Sequence, residues 1–235
     1  MNNFGLIGWS IKHSLSPKIY NSTFRKKNLN WKYVLIPTML KNLSDLIEMI
    51  RGKNFLSVNI TSPYKESIIP YLDCITNKAD KIGSVNIVFS TGNGEIIGDN
   101  TDSDGFLNDI KNKKIFTFGK SVTILGYGGS SKAICHALKK MQVSSIEIWS
   151  RGSGKVPISA DLTINCTPGL DSCILEKMLF DSSQILYDLN YAPNETPIMQ
   201  MAKNYGAIAF NGFGMLREQA KLNFKIWQKL NSYKI

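Results

Sequence analysis

The chain has 235 residues, 43% of them hydrophobic, and its 28 Lys and Arg against 18 Asp and Glu give a formal net charge of +10. That length can bury a substantial core in one or two domains, and no apolar run is long enough to cross a bilayer, so no membrane partner is expected. The lysine excess is scattered, and its clusters at Arg25-Lys26-Lys27 and Lys111 to Lys114 lack the interleaved aromatic surface that stacks bases, so no nucleic-acid partner is expected either.

The first hundred residues alternate strand and helix patterns. Phe4 to Gly8 reads as a strand, and Ser16-Pro17 then opens a helix, with serine as N-cap and proline at the first helical position. Lys32 to Ile36 is a second strand. Leu40, Leu43, Ile47 and Ile50 have helical spacing, and Phe55 to Ile60 is a third strand. Ser84 to Ser90 and Glu95 to Gly98 form a hairpin around Thr91-Gly92-Asn93-Gly94. The pattern predicts an α/β unit with a mostly parallel sheet.

A second unit begins near Val122. The run Val122-Thr-Ile-Leu-Gly126-Tyr-Gly128-Gly129 passes from a buried strand through closely spaced glycines into a helical pattern at Ala133, Ile134, Ala137, Leu138 and Met141. Backbone N–H groups and the positive end of a helix dipole converge at such a turn, where anionic phosphates bind. The next strand, Ile146 to Ser150, ends in Arg151 with Lys155 behind it and no carboxylate. An acidic residue there would hold the ribose 2′-hydroxyl of NAD, whereas cations suit the 2′-phosphate of NADP. Further strands are expected at Leu162, Ile185 and Ala207 to Phe210, with hinges around Thr101 to Phe106 and Gly212 to Gly214. A last helix spans Met215 to Leu230. The expected division is 1–103 plus the C-terminal helix 215–235, and 104–214.

Cys74, Cys135, Cys166 and Cys173 form no CxxC pair and only His13 and His136 occur, so neither a metal site nor a disulfide framework is indicated; buried or inert thiols are expected. The N-terminus lacks the charged and apolar regions of a signal peptide, and a cytoplasmic location is expected.

Three polar loops follow strands of the first unit: Ser14-Leu-Ser-Pro17, Asn59-Ile-Thr-Ser-Pro-Tyr-Lys65 and Asn100-Thr-Asp-Ser-Asp-Gly105, with Asn86 close by. Ligands of open α/β sheets bind at the carboxyl ends of strands. A small ligand with hydroxyls and a carboxylate suits this collection. Each residue also has a purely structural role open to it, as cap or turn.

Together, these loops with Ile82-Gly-Ser-Val-Asn86, Gly98-Asp-Asn-Thr-Asp102, Gly126-x-Gly-Gly129, Asp188-Leu-Asn-Tyr191 and Gly212-Phe-Gly-Met-Leu-Arg-Glu-Gln219 resemble shikimate dehydrogenase along nearly the whole chain. The resemblance implies a substrate domain followed by a Rossmann-like NADP domain, and NADPH-dependent reduction of 3-dehydroshikimate to shikimate on the route to chorismate and the aromatic amino acids. It implies Lys65 and Asp102 as the catalytic pair, with Ser14, Ser16, Asn59, Thr61, Asn86, Tyr191 and Gln219 around the substrate. Gly126, Gly128, Gly129, Ser150, Arg151, Lys155, Thr167 and Gly212 would then hold the cofactor, in a monomer or homodimer without metal.

The chain also departs from the family pattern. Only nine residues, Gly152 to Ala160, separate Arg151 from the strand at Asp161 to Cys166. A parallel crossover with its helix needs about ten to twelve residues or more. The family usually places a helix and a further strand here, so a shortened nucleotide sheet is expected. Thr167-Pro168-Gly169 is one residue tighter than the family's motif, and Tyr127 and Ser130 stand where alanines are common. Two alternatives stay open: a quinate/shikimate dehydrogenase with relaxed cofactor choice, and a non-catalytic regulator binding NADP or shikimate.

Overall fold

The computed structural model of the chain describes residues 2–151, 153 and 159–232. The chain divides into two compact units: Met1–Gly105 with Arg217–Ile235, and Phe106–Leu216.

The first unit runs β1 (Asn2–Gly8), α1 (Ser16–Lys26), β2 (Trp31–Pro37), α2 (Leu43–Arg51), β3 (Ser57–Ile60), β4 (Cys74–Ile75), α3 (Asn77–Ile82), β5 (Ile87–Ser90) and β6 (Ile96–Asp99), reaching the start of α4 (Asp102–Asn112). Its sheet has the order β2-β1-β3-β5-β6-β4. The β1–β2, β1–β3 and β4–β6 pairs are parallel, and β5 runs antiparallel to β3 and β6. Alternation along β1 sends Ile7 to one face and Phe4 and Leu6 to the other. Leu43, Leu46, Ile47 and Ile50 of α2 cover the first face. Tyr20 and Phe24 of α1 cover the second, together with Ala220, Phe224 and Trp227 from the last helix.

The second unit carries β7 (Ser121–Leu125), α5 (Gly129–Lys140), β8 (Ser145–Trp149), β9 (Leu162–Asn165), α6 (Ser172–Leu175), β10 (Ile185–Asp188), α7 (Pro197–Asn204) and β11 (Ile208–Asn211), followed by α8 (Phe213–Ser232), which continues into the first unit. Its five strands are all parallel, in the order β11-β10-β9-β7-β8. Helices cover both faces, so β9 is buried at every residue while the outer β8 alternates between exposed and half-buried positions until its last residue, Trp149, which is buried. After β8 the chain returns past β7 to β9, and no strand follows β8 on the outer edge among the described residues. The described sheet thus ends at β8, and the segment on which the expected loss of a helix and strand falls is outside the described residues at 152 and 154–158.

One expectation is corrected, and two short elements are found that the sequence pattern does not announce. Ser16 is the first residue of α1 rather than its N-cap; Leu15 takes that position and the Ser14 hydroxyl accepts the Ser16 N–H at 3.2 Å. Proline is tolerated anywhere in the first helical turn, where N–H groups lack partners, so it marks the start only to within a residue. The segments expected as hinges are helical from Asp102 and from Phe213, and the unit boundaries fall within α4 and α8. The short β4 and α3, the latter capped by Thr76 Oγ1 accepting from the Ala79 N–H at 3.2 Å, have no periodic signature long enough to read. Of the cysteines expected as buried or inert, Cys74 is exposed, Cys135 and Cys166 are half-buried, none of the three is in a disulfide, and the Cys173 side chain lies outside the described residues. Among the described residues no helix is long and apolar enough to cross a membrane, and no group of His, Cys, Asp and Glu could hold a metal ion.

Candidate active site

In the first unit, the carboxyl ends of β1, β3 and β6 and the amino end of the antiparallel β5 lie at one edge of the sheet. The loops leaving these ends carry Ser14 and Ser16, Thr61 and Lys65, and Asp102, while Asn86 immediately precedes β5. The Val85 N–H donates to the Lys65 carbonyl at 2.7 Å, fastening the lysine loop beside Asn86.

Lys65 Nζ donates to Asp102 Oδ2 at 2.6 Å, with the two side chains 11% and 8% exposed. The other carboxylate oxygen, Oδ1, accepts from Asn86 Nδ2 at 2.7 Å. Asp102 occupies the first turn of α4, where the helix dipole favours a negative charge. The turn is set from behind by Asn100, whose Oδ1 accepts the Asp102 N–H at 3.0 Å while its Nδ2 donates to Ser84.

Other expected substrate residues separate by their commitments. Ser14 and Ser16 hydroxyls are 3.2 Å apart. Asn59 is tied into the sheet, its Oδ1 accepting from Tyr33 OH at 2.9 Å and its Nδ2 donating to the Asn86 carbonyl at 3.1 Å. Asn86 uses both amide hydrogens, on Asp102 and on Thr101 Oγ1, and its Oδ1 accepts the Thr101 N–H at 2.8 Å. Thr61 is half-buried at the end of β3, its N–H on the Ile7 carbonyl. Gln219, on α8 within the first unit, accepts at Oε1 from Asn223 Nδ2 at 2.8 Å.

Beneath this edge lie Tyr33, Tyr20 and Asn223, to which the sequence pattern assigns no role, and Thr101, which it places only within a polar loop and an expected hinge. Asn223 has a signal in retrospect. It falls at the i+3 position of the buried stripe Ala220, Phe224, Trp227, where an amide is out of place unless bonded. Burial pushes the Tyr20 phenol up, with Asp102 adding to the shift and the Asn223 hydrogen bond opposing it.

In the second unit, the expected cofactor residues lie at the carboxyl ends of its strands. Gly126 follows β7 with φ +109°, a backbone that side chains resist, and a Cβ there would lie 3.1 Å from Thr167 Cγ2. Gly128 precedes α5 in open space, with nothing within 4 Å of where a Cβ would stand. Bare backbone at the start of a twelve-residue helix fits a pyrophosphate. Ser150 and Arg151 follow β8. The Ser150 N–H donates to Ser153 Oγ at 2.9 Å and Arg151 is exposed, while Lys155 lies outside the described residues. Thr167 follows β9 and donates to Asn165 Oδ1 at 2.7 Å. Tyr191, half-buried, follows β10. Gly212 follows β11 and is buried; a Cβ there would lie 2.1 Å from the Leu189 carbonyl oxygen.

The profile of the shikimate dehydrogenase substrate binding domain matches residues 6–88. A shikimate dehydrogenase (NADP(+)) of Caldanaerobacter subterraneus subsp. tengcongensis is 35% identical, the alignment covering 95% of this chain and 90% of the relative. The crystal structure of shikimate dehydrogenase 1 from Peptoclostridium difficile superposes with a TM-score of 0.88 at 30% identity, over 97% of this chain and 92% of that one. The Thermus thermophilus shikimate 5-dehydrogenase solved with NADP(H) and shikimate gives 0.85 at 29% identity, over 98% and 94%. Relatedness of this degree extends over both units, and the chain belongs to the shikimate dehydrogenase family.

Proposed function

We propose that the chain is an NADP-dependent shikimate dehydrogenase, interconverting 3-dehydroshikimate and shikimate. Curated relatives of this activity match nearly its whole length. The observation that carries the reading to chemistry is the buried Lys65–Asp102 pair at the strand ends of the first unit.

Reduction of a ketone by hydride leaves negative charge on the carbonyl oxygen, which must be stabilised and then protonated. Lys65 is the general acid: its ammonium hydrogen-bonds that oxygen and gives up one proton as the alcohol forms. In the oxidation direction its neutral amine takes the hydroxyl proton. Asp102 holds Nζ in place and stabilises the ammonium form. Ser14, Ser16, Asn59, Thr61, Asn86, Tyr191 and Gln219 bind the carboxylate and hydroxyls of the substrate. The first unit is thus the substrate domain and the second the NADP domain.

When bound, NADP supplies the nicotinamide that gives or takes the hydride. Gly126, Gly128 and Gly129 would hold its pyrophosphate at the start of α5. Ser150 and Arg151, with Lys155, would meet the 2′-phosphate, and Thr167 and Gly212 would complete the cofactor side. The absence of a carboxylate after β8 supports NADP over NAD.

The test is spectrophotometric. Purified protein with shikimate is expected to reduce NADP rapidly and NAD slowly. Equal rates with both would keep the chemistry and remove the cofactor preference. No turnover by folded protein, with ligand-induced stabilisation intact, would turn the chain into a binding protein.

A further inference from the structure

The polar groups under the candidate site form one hydrogen-bonded line, and its direction is fixed at one end. Asp102 can only accept, so the Asn86 group facing Oδ1 must be its NH2, at 2.7 Å. Asn86 Oδ1 then faces the Thr101 N–H at 2.8 Å, consistent with the same amide orientation. The second Asn86 hydrogen lies on Thr101 Oγ1 at 3.0 Å, which leaves the threonine proton for Asn223 Oδ1 at 2.7 Å. That bond points the oxygen of Asn223 at Thr101 and its NH2 at Tyr20 OH (2.9 Å) and Gln219 Oε1 (2.8 Å). Asn223 is completely buried and its oxygen and both hydrogens are engaged.

The opposite orientation of Asn223 is inferior. Thr101 Oγ1 would then accept from both amides, and its proton could reach only Asn86 Oδ1, at 3.2 Å. The line therefore runs from Asp102 through Asn86, Thr101 and Asn223 to Gln219. It ends with Gln219 Oε1 turned inward, and Gln219 Nε2 has no hydrogen-bond partner among the described residues.

We infer that Asn223 is a positioning residue that holds the Gln219 amide with its NH2 presented to the ligand, so that Gln219 donates to a substrate oxygen and does not accept from a substrate hydroxyl. This rests on the proposed reading of Gln219 as a substrate residue and adds the polarity of its contact. Its specificity consequence is that the oxygen met by Gln219 must offer a lone pair, as a carboxylate, a carbonyl or a hydroxyl donating elsewhere does.

The experiment is a double-mutant cycle in the whole enzyme between Asn223→Asp and Gln219→Ala, reading KM for shikimate and for NADP separately. An aspartate at 223 offers only acceptors, so Gln219 turns its NH2 inward and faces the substrate with oxygen. Asn223→Asp alone is expected to raise KM for shikimate about tenfold or more, the cost of one lost hydrogen bond with repulsion added. KM for NADP stays within about twofold, as befits a change confined to a substrate contact. In the Gln219→Ala background the same substitution is expected to change KM for shikimate by less than about twofold, since the residue acts through Gln219. An equal rise in both backgrounds, or none in either, overturns the inference. Gln219→Ala leaving KM for shikimate unchanged instead overturns Gln219 as a substrate residue. Should the aspartate variant fail to fold, Asn223→Ser, too short to reach both Gln219 and Tyr20, enters the same cycle. It is then expected to raise KM about threefold with Gln219 present and to change nothing without it.

Discussion

Lys65 Nζ and Asp102 Oδ2 meet at 2.6 Å in a setting almost closed to solvent, although 37 residues separate them in sequence. Two independent anchors bring them together. The Val85 N–H on the Lys65 carbonyl fixes one loop, and the Asn100 amide at the start of α4 fixes the other. With a second acceptor bond from Asn86, the carboxylate is held on two sides. An ammonium so placed has little freedom, which suits a group that must deliver a proton along one direction.

Lys65→Ala is therefore expected to lower kcat by about a hundredfold to ten-thousandfold, the range of a lost general acid. Circular dichroism should match the parent enzyme, while thermal stability falls because the Asp102 charge loses its partner. A variant retaining near-normal turnover would remove Lys65 from the mechanism.

Arg151 is exposed and follows the outer strand of the nucleotide sheet. Arg151→Ala should raise KM for NADP by roughly tenfold, the lower end for a charge-assisted bond in contact with water. KM for NAD, which has no 2′-phosphate, should stay the same. Initial-rate measurements with both cofactors decide it: equal losses with the two would separate Arg151 from the 2′-phosphate.

Much of this was legible in the residues themselves. The β7 to α5 turn announced itself because buried strand, glycines and helical spacing follow in one short run. The end of the described sheet at β8 agrees with the arithmetic on residues 152–160, of which 152 and 154–158 lie outside the described residues. Positions without periodicity were not legible: β4 has two residues, and the start of α1 depends on which first-turn position Pro17 takes. The site loops could be read as chemistry, but not which of their groups bond one another. Asn59 and Asn86 read as ligands in sequence, but that they are also tied into the protein, Asn86 through both amide hydrogens and its oxygen, only packing reveals. Thr101 and Asn223 were invisible as a pair because they lie 122 positions apart in the chain.

Asp161 joins the beginnings of two neighbouring strands. Its carboxylate takes Lys120 Nζ at 2.9 Å, the Ser121 N–H at 2.9 Å and Ser121 Oγ at 2.8 Å. These bonds, with Lys120 foremost, hold its pKa at about 2. A carboxyl lowered on folding adds stability above its unfolded pKa near 3.9, and this is lost as pH falls through about 2. Asp161→Asn should therefore melt below the parent at pH 7, and the gap should close as the pH approaches 2. A gap that persists undiminished at pH 2 would assign the effect to the neutral hydrogen bonds alone.

Gly212 leaves β11 so close to the neighbouring chain that a methyl group would sit 2.1 Å from the Leu189 carbonyl oxygen and 2.6 Å from its carbon. Backbone on that side cannot rotate away as a flexible side chain would, because Leu189 donates its own N–H to the Asn165 carbonyl at 2.9 Å. The Gly212 N–H is likewise engaged, on the Asn190 carbonyl at 3.2 Å, and the Gly212 carbonyl accepts the Leu216 N–H at 3.0 Å in the first turn of α8. Gly212→Ala must then shift either the loop after β10, which carries Tyr191, or the start of α8. Overpacking of this kind costs about 1–3 kcal/mol. The expected result is a lower melting temperature together with a higher KM for NADP. A variant that melts with the parent and binds NADP as tightly would mean that the loop yields freely, and that the glycine serves neither packing nor cofactor.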